Sequence, residues 1–537
     1  MLPASAGKSL TRPRLHPMLP HPTFPQSEII MALSKLAGST ALFLVLGATV
    51  ARAEVTPEEI WQNWQDSAVA MGQTMTAASA TRDGDTLLVQ GIAIAATDPQ
   101  VAVSGSIDEM SFTDNGDGTV EITMSDSYDI DMTFPADAAV AGSTPTTVTI
   151  TVANPGLVTT ASGTAAATSY EFEGPSLSVT LSSIEGVDAA KVDATAEVTM
   201  TGISGSYLVE GEGDARAIAS DFAAATLAVN VVGTDSTSGS DVKITAAMAD
   251  VAGSTTGNFL GAEMMKDMSA ALKAGFSLDM AFAYGLTSYD VAVMEAGAPT
   301  TIKGGATGGE FTFGMNGTRM EYASTGKGIN IAVSSPDIPF PELKLSYAES
   351  GFHFLLPIAK SDTPADFIAL VKIIDLSISE EIWGMIDPGA ALPHDPATLV
   401  IDTKGTATIT TDMMNDAEMA TMGDAPPGMM NSIELTELHA KIAGAELTGT
   451  GSFTFDNTDL TTFPGVPAPT GKLDLTLLGG NALLDKLVGM GILSEDDAMG
   501  ARMGIAMLAN SDPAADKLTT ALEFKDKGFF ANGQQLQ

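Results

Sequence analysis

Two aspartates near a tryptophan are the first residues in this sequence whose chemistry needs weighing. Asp387 and Asp395 each precede a proline, and Trp383 lies just upstream. A pair of carboxylates beside an aromatic ring can cleave a glycosidic bond. Aspartate before proline is also a common turn former, because proline holds the preceding residue in extended backbone. Nothing in the spacing makes the two carboxylates converge, so we favour the turn and assign no catalytic residue.

A methionine-rich stretch is the second candidate. Its members are Met413, Met414, Met419, Met422, Met429 and Met430. Thioethers are soft ligands that suit copper(I). The chain holds 28 methionines, however, and flexible thioethers commonly fill irregular cores. We therefore favour packing for this stretch and expect no cofactor.

The other short motifs indicate structure rather than catalysis. The run Asp114–Gly118 resembles a calcium loop, but Thr113 and Met124 stand where an EF-hand needs Asp and Glu, so a hairpin turn is favoured. Residues 465–472 imitate a phosphate-binding loop with one residue too many between the glycines, and we interpret them as a proline-rich linker. The sequence contains no zinc-binding His cluster and no Gly-x-Ser-x-Gly elbow. Catalytic, cofactor and metal residues are thus predicted to be none, and ligand- or partner-binding residues stay unassigned.

Composition narrows the class of protein. The 537 residues include 66 Asp plus Glu against 25 Lys plus Arg, a net charge of −41. Such a chain repels phosphate backbones, so we expect no nucleic-acid partner. Apolar residues make up 45% of the chain, which excludes a disordered protein. The chain has no cysteine, so its stability must come from core burial without disulfides.

Residues Met31–Ala53 have the pattern of a secretory signal peptide. Lys35 precedes a largely apolar stretch at Leu36–Val50, and Ala51-Arg52-Ala53 follows as a small-residue cleavage site. The apolar stretch is shorter than the roughly 20 residues that span a bilayer. We therefore expect export to the periplasm, with no transmembrane anchor after cleavage.

The segment before Met31 contains six prolines and no apolar periodicity. We expect residues 1–30 to be disordered and to result from an upstream start codon chosen in error. The mature chain is predicted to begin at Glu54, directly before a helix with a capping box at Thr56–Glu59.

The mature sequence alternates one helix with a run of strands, twice. The first unit, residues 54–257, has its helix after Pro57 and strands rich in Val, Ile, Thr and Ser. Its predicted strands are Thr86–Ile94, Val101–Phe112, Val120–Phe134, Thr146–Val152, Ser176–Leu181 and Val192–Val209.

The second unit, residues 258–537, is predicted to contain helices at Asn258–Ala274, Ala365–Met385, Ala482–Met490 and Glu495–Leu508. A final hairpin joins Leu518–Phe524 to Phe529–Ala531. Its other predicted strands are Phe276–Tyr284, Ser288–Met294, Glu310–Met315, Ile329–Val333, Leu343–Tyr347, Phe352–Pro357, Thr398–Thr410 and Ser432–Phe455. We expect a mainly β (α+β) fold of large antiparallel sheets, with two similar halves forming an elongated or grooved sandwich and short helices at the mature N-terminus, mid-chain and near the C-terminus.

Five short motifs carry a resemblance to a known family: Glu58–Trp61, Phe352–Phe354, Ile382–Pro388, Leu392–Thr398 and Phe529–Gln534. Their order resembles that of an alphaproteobacterial family of exported proteins catalogued as domain of unknown function 2125. The resemblance implies a β-rich protein of the cell envelope and supplies no activity. More distantly, the sheets and terminal helices resemble envelope proteins that hold lipid in long β-grooves.

The sequence thus favours a non-enzymatic periplasmic envelope protein that binds an apolar or lipid-like ligand or an envelope protein partner. An outer-membrane or secreted β structural protein and a carboxylate-dependent hydrolase are the alternatives. The sequence does not identify the ligand or the oligomeric state. It also does not show whether the sheets form a groove, a closed sandwich or a barrel.

Overall fold

The computed structural model describes residues 55–537, except 71–72, 98–100, 137–143, 165, 187–191, 212–215, 236–239, 262–263, 296 and 424. The predicted signal peptide and the segment 1–30 lie outside the described residues. Helix α1, Pro57–Ala70, opens the described chain with the predicted capping box. The Thr56 N–H donates to Glu59 Oε2 (3.0 Å) and the Glu59 N–H donates to Thr56 Oγ1 (3.3 Å).

The remaining helices are short and lie between strands. They are α2 (Met268–Lys273), α3 (Glu380–Ile386), α4 (Asp416–Met422), α5 (Gly480–Gly489) and α6 (Glu495–Leu508). A 3₁₀ turn at Met264–Lys266 precedes α2. None of the described helices is long and apolar enough to cross a membrane.

The strands of the first half are β1 (Gln73–Asp83), β2 (Thr86–Thr97), β3 (Ala102–Asp114), β4 (Val120–Met124), β5 (Ser127–Phe134), β6 (Thr146–Ala153), β7 (Val158–Thr164), β8 (Ala167–Glu185), β9 (Val192–Glu210), β10 (Arg216–Asp235), β11 (Ser240–Phe259), β12 (Ser277–Tyr284) and β13 (Thr287–Glu295). Those that follow are β14 (Ala298–Ala306), β15 (Gly308–Met315), β16 (Arg319–Ser334), β17 (Leu343–Pro357), β18 (Ala365–Ile378), β19 (Ala397–Ile409), β20 (Gly428–Ile442), β21 (Ala445–Asp456), β22 (Ala468–Leu478), β23 (Asn510–Asp512), β24 (Lys517–Lys525), β25 (Gly528–Ala531) and β26 (Gln534–Gln535).

These strands form one antiparallel sheet in which neighbours in sequence are usually neighbours in space. One arrangement occurs twice. The long strand β3 pairs with the short strands β4 and β5, which pair in turn with β7 and β6, and both of these pair with the long strand β8. Strand β11 is joined to β16 in the same way through β12 and β13 and then β15 and β14. The mainly β antiparallel fold is confirmed, and the sheet runs without a break through the boundary predicted at residue 257, because β11 spans it.

Several predicted elements need correction. Residues 365–378, predicted as helix, form strand β18, and only Glu380–Ile386 is helical. The apolar run around Ile368–Val371 has no period of two, so its pattern does not separate strand from buried helix. The helix predicted at Asn258–Ala274 is also wrong in its extent, because β11 continues to Phe259 and Asp267 caps a new, shorter helix at the Ala270 N–H (3.0 Å). The other strands that were not predicted are β1, β7, β10, β11, β14, β22, β23 and β26.

Three apolar clusters make up the core. The largest lies where α1 packs on β1–β4: Ile60 and Phe112 are fully buried there, and Trp61 and Trp64 contact the Phe112 ring. The second surrounds α2 and Phe276, and the third lies within β9–β11 around Ile203 and Val251. Over much of the sheet, the residues that the structure describes form no such cluster, and the candidate functional site lies there.

A continuous apolar face as the candidate functional site

Side chains that lie directly opposite each other on antiparallel strands share a face of the sheet. The pairing register can therefore be followed from strand to strand across the whole sheet. One such row, here named the apolar row, runs from β2 to β24. Its members are Leu87, Phe112, Ile122, Thr159, Phe172, Gly205, Phe222, Gly253, Phe282, Phe311, Ser324, Phe352, Val371, Ile401, Leu438, Gly449, Leu475 and Thr520.

The apolar row contains no charged residue, and its polar members carry only hydroxyl groups. With neighbouring strands about 4.8 Å apart, it extends about 80 Å along the hydrogen-bonding direction. The adjacent row on the opposite face is different in character. It runs Glu171, Ser206, Asp221, Ser254, Ala281, Thr312, Ala323, His353, Leu370, Asp402 and Glu437. The sheet thus has one apolar and one largely polar face.

Backbone irregularities keep the apolar residues on one face. On β2 the buried apolar residues alternate at Leu87 and Val89, and the alternation then moves by one residue to Ile92. Gly91, which lies at this change, has φ of 62°. The same change of phase occurs at Gly328 on β16 (φ 59°), at Asp250 on β11 (φ 51°) and at Asp375 on β18 (φ 54°). A slip of one residue would otherwise turn the apolar side chains to the opposite face.

The apolar row is covered at one end and accessible further along. Leu87, Phe112 and Ile122 are buried beneath α1. By contrast, Phe222 is 39% exposed, Phe311 36% and Phe352 38%. Contiguous exposed apolar surface of this extent is unusual for a monomeric soluble protein, so the apolar row is the candidate functional site.

Aromatic rings on this face lie over glycines of the neighbouring strand. A Cβ built on Gly205 would lie 2.5 Å from Phe172 Cζ, and one built on Gly405 would lie 2.8 Å from Phe367 Cζ. A Cβ on Gly253 would likewise collide with the Phe222 ring. The rings thus occupy the space that a side chain on each glycine would fill, and they lie over the neighbouring strand.

A recess of about 480 Å³ lies across β18–β22 and is lined in part by Phe367, Ile433 and Phe453 of the apolar face. Its size falls in the range of ordinary small-ligand sites, about 300–1,000 Å³. Lys404 and Glu434, which pair at 3.4 Å, also line it. The recess offers apolar surface with a polar margin, a combination that suits an amphipathic molecule.

An ion pair fixes α2 beside the ends of β11, β12 and β15–β17. Lys273 Nζ lies 2.6 Å from Asp412 Oδ2, and the Ser269 hydroxyl donates to the same oxygen (3.1 Å). Burial would raise the pKa of Asp412, but the hydrogen bonds from Lys273, the Met414 N–H and Ser269 outweigh it and hold this pKa below its usual range. The pair thereby ties α2 to the segment before α4.

The Trp383 segment forms a turn rather than a carboxylate pair. Asp387 is buried, and its Oδ2 accepts the Leu392 N–H (2.6 Å), which lowers the pKa of Asp387. The rings of Trp383 and His394 stack, with centroids 4.3 Å apart and planes 4° from parallel. Asp395 is exposed. These contacts bear out the turn interpretation and connect α3 to β19.

The methionine-rich stretch is dispersed. Met413 and Met414 pack against the cluster around α2, whereas Met429 and Met430 are exposed on β20. The structure therefore shows packing for Met413 and Met414. The contacts of the described residues show no site that the six sulfur atoms share. Among the described residues, no group of three His, Asp or Glu side chains is arranged to hold a metal ion.

The remaining motifs are local structure. Asp114 Oδ1 accepts the Gly116 N–H (2.9 Å) in the turn between β3 and β4, as predicted for a hairpin. The linker predicted at 465–472 is wrong for most of its length, because residues 468–472 belong to β22. The histidines lie apart, each beside its own glutamate: His353 with Glu321, His394 with Glu380 and His439 with Glu446.

Fold and face together define a class of protein: a single long antiparallel sheet with one continuous apolar face. Residues 291–531 match the model of a bacterial family described as "Uncharacterized protein conserved in bacteria (DUF2125)", which supports the resemblance over that segment. No curated protein and no solved structure matches the chain. The matched segment includes the Trp383 turn and the part of the apolar row from Phe311 to Thr520.

Proposed function

We propose that this protein is an exported, periplasmic envelope protein that holds apolar chains of a lipid-like ligand against its apolar row and catalyses no reaction. The observation that carries the proposal is the row itself, which crosses the sheet from β2 to β24 without a charge and is more than one-third exposed at Phe222, Phe311 and Phe352.

The dimensions of the row favour long apolar chains over a compact small molecule. The row extends about 80 Å. Each leaflet of a bilayer contributes about half of a hydrocarbon core roughly 30 Å thick. The row is therefore several times longer than one acyl chain and has room for several chains laid end to end.

Burying an acyl chain on this face provides enough free energy for binding. Burying one methylene is worth about 0.8 kcal/mol. A chain of about 16 methylenes lying on the sheet with half of its surface covered would gain roughly 6 kcal/mol before the entropy of ordering it is subtracted. Moderate, reversible affinity follows, and this is the affinity that a carrier needs.

The compartment rests on the predicted signal peptide at Met31–Ala53 and on the resemblance to an exported family. The proposal that the protein catalyses no reaction is supported by the structural roles of the residues that could take part in catalysis. Asp387 serves its own turn, and His353, His394 and His439 each lie beside a glutamate on or near the sheet.

The proposal is tested with N-phenyl-1-naphthylamine, an uncharged probe that fluoresces in apolar surroundings. We expect the purified mature protein to bind it and long-chain fatty acid to displace it. Phe311→Asn places an amide in the apolar row, and Thr312→Asn makes the same residue on the opposite face as the matched control.

The proposal predicts at least a several-fold loss of probe affinity for Phe311→Asn and none for Thr312→Asn. Equal affinity of both variants and the wild type would show that the row is not the binding surface. A polypeptide that co-purifies and blocks the probe would instead identify a protein partner as the occupant.

A further inference from the structure

Helix α6 presents an apolar stripe to solvent. Met499, Met503 and Met507 are 60%, 64% and 78% exposed. Their spacing of four residues places them on one side of the helix. Ala498, on the side that packs inward, is buried. A stripe of large flexible side chains is thus left without a protein partner among the described residues.

Helix α6 is held near its middle by α5 and at its C-terminal end by the sheet. Arg502, in the middle of α6, donates to the Asn481 carbonyl (3.3 Å) and to Asp485 Oδ1 of α5. At the C-terminal end, the Leu508 carbonyl accepts the Thr520 hydroxyl (2.6 Å). Thr520 is the last member of the apolar row. The C-terminal end of α6, which carries Met507, therefore lies beside the end of the apolar row at β24.

We propose that the methionine stripe of α6 docks the protein transiently on an electrically neutral lipid surface and so brings the end of the apolar row to the lipid. This rests on the proposed function, since a lipid-holding face needs a place where its ligand enters. Thioether side chains adapt to irregular apolar surroundings, and this suits insertion among acyl chains.

The charges of α6 and of the whole chain indicate which partner the methionine stripe contacts. The first turn of α6 carries Glu495, Asp496 and Asp497, and the one cation of the helix, Arg502, already pairs with Asp485. With a net charge of −41, the chain repels anionic headgroups and also a second copy of itself. A zwitterionic lipid surface has no net charge above its apolar acyl chains, so these acidic residues repel it least.

The expected binding is weak, because three side chains insert far less apolar surface than a lipid anchor, and even one myristoyl chain binds membranes only marginally. The test is flotation of the mature protein with phosphatidylcholine vesicles and, separately, with phosphatidylglycerol vesicles. The variant is Met499→Gln/Met503→Gln/Met507→Gln. Its matched control is Met264→Gln/Met294→Gln/Met385→Gln, which changes three exposed methionines elsewhere.

We expect the α6 variant to lose at least roughly tenfold in partitioning to phosphatidylcholine vesicles, and the control variant to keep it. Unchanged partitioning of the α6 variant would overturn the proposal, as would stronger binding of the wild type to phosphatidylglycerol. A change in sedimentation velocity caused by the α6 substitutions, without a change in flotation, would assign the stripe to self-association and also overturn it.

Binding of N-phenyl-1-naphthylamine separates this proposal from the function on which it rests. The α6 variant should bind the probe with wild-type affinity while failing to float with vesicles. Probe binding that is absent even from the wild type, together with intact flotation, would count against the apolar row and not against the stripe. Circular dichroism checks that the variant keeps its helices.

Discussion

The contact between Gly253 and the Phe222 ring offers a sharp test of how the apolar face is built. The three atoms nearest to a Cβ added at Gly253 would all belong to the Phe222 ring: Cδ1 and Cζ at 2.9 Å and Cε1 closer still. Gly253→Ala must therefore push the ring away from its neighbour strand. Overpacking of this kind typically costs about 1–3 kcal/mol.

Urea denaturation of the purified protein, followed by far-ultraviolet circular dichroism, measures this cost. Phe222→Leu removes the ring, so the double variant Gly253→Ala/Phe222→Leu should recover much of the loss, with a coupling energy of about 1 kcal/mol or more. Gly500→Ala on α6 is the control, because a Cβ there meets nothing within 4 Å and alanine favours helix by about 1 kcal/mol. Two results would refute the reasoning: wild-type stability of Gly253→Ala, or an undiminished penalty when Phe222 is leucine.

Two further predictions concern the core and the turn. Ile60→Ala, at a fully buried position of α1, should lower the free energy of unfolding by about 2–4 kcal/mol in the same assay, whereas Val69→Ala at an exposed position of the same helix should change it little; equal effects would mean that α1 does not pack as described. The lowered pKa of Asp387 means that its carboxylate stabilises the fold above the unfolded-state pKa, about 3.9, and that this contribution is lost as the pH falls through the lower folded-state pKa. Asp387→Asn should therefore be less stable than the wild type at pH 7 and approach it below about pH 4; a difference that is constant with pH would exclude the carboxylate as its source.

Local features of this fold were predictable because they depend on few residues. The Thr56 capping box, the turn after Asp114, the Ser494 cap of α6 and the final hairpin at Asp526–Gly528 are each determined within a few positions. All four are present in the structure. The turn role of Asp387 was also preferred correctly, because the proline after it restricts its backbone.

The apolar row was not predictable in the same way. Its members lie on many strands, and only the pairing register shows that Phe222, Phe311 and Val371 share a face. The alternation of apolar and polar residues is also hard to recognise in the sequence. Residues with positive φ, such as Asp250 and Asp375, move the alternation by one residue within a strand. Apolar residues on both faces of β18, among them Leu370 and Val371, caused the strand to be taken for a helix.

The positions of the acidic residues on the sheet also became clear only from the pairing register. Acidic residues are abundant, yet the row has none, because alternation within strands confines them to the opposite face. The prediction of an apolar or lipid-like ligand came from the distant resemblance to lipid-holding envelope proteins. The row now gives that prediction a set of residues that can be changed one at a time.

The most direct test of the central claim is native mass spectrometry of the protein purified from its own envelope without added lipid. If the apolar row holds lipid-like ligands, the spectra should show the mature polypeptide with added masses in the range of lipids, released on activation, and Phe311→Asn should lose them while Thr312→Asn keeps them. A bare polypeptide mass, together with probe binding that is equal in all three proteins, would contradict the claim.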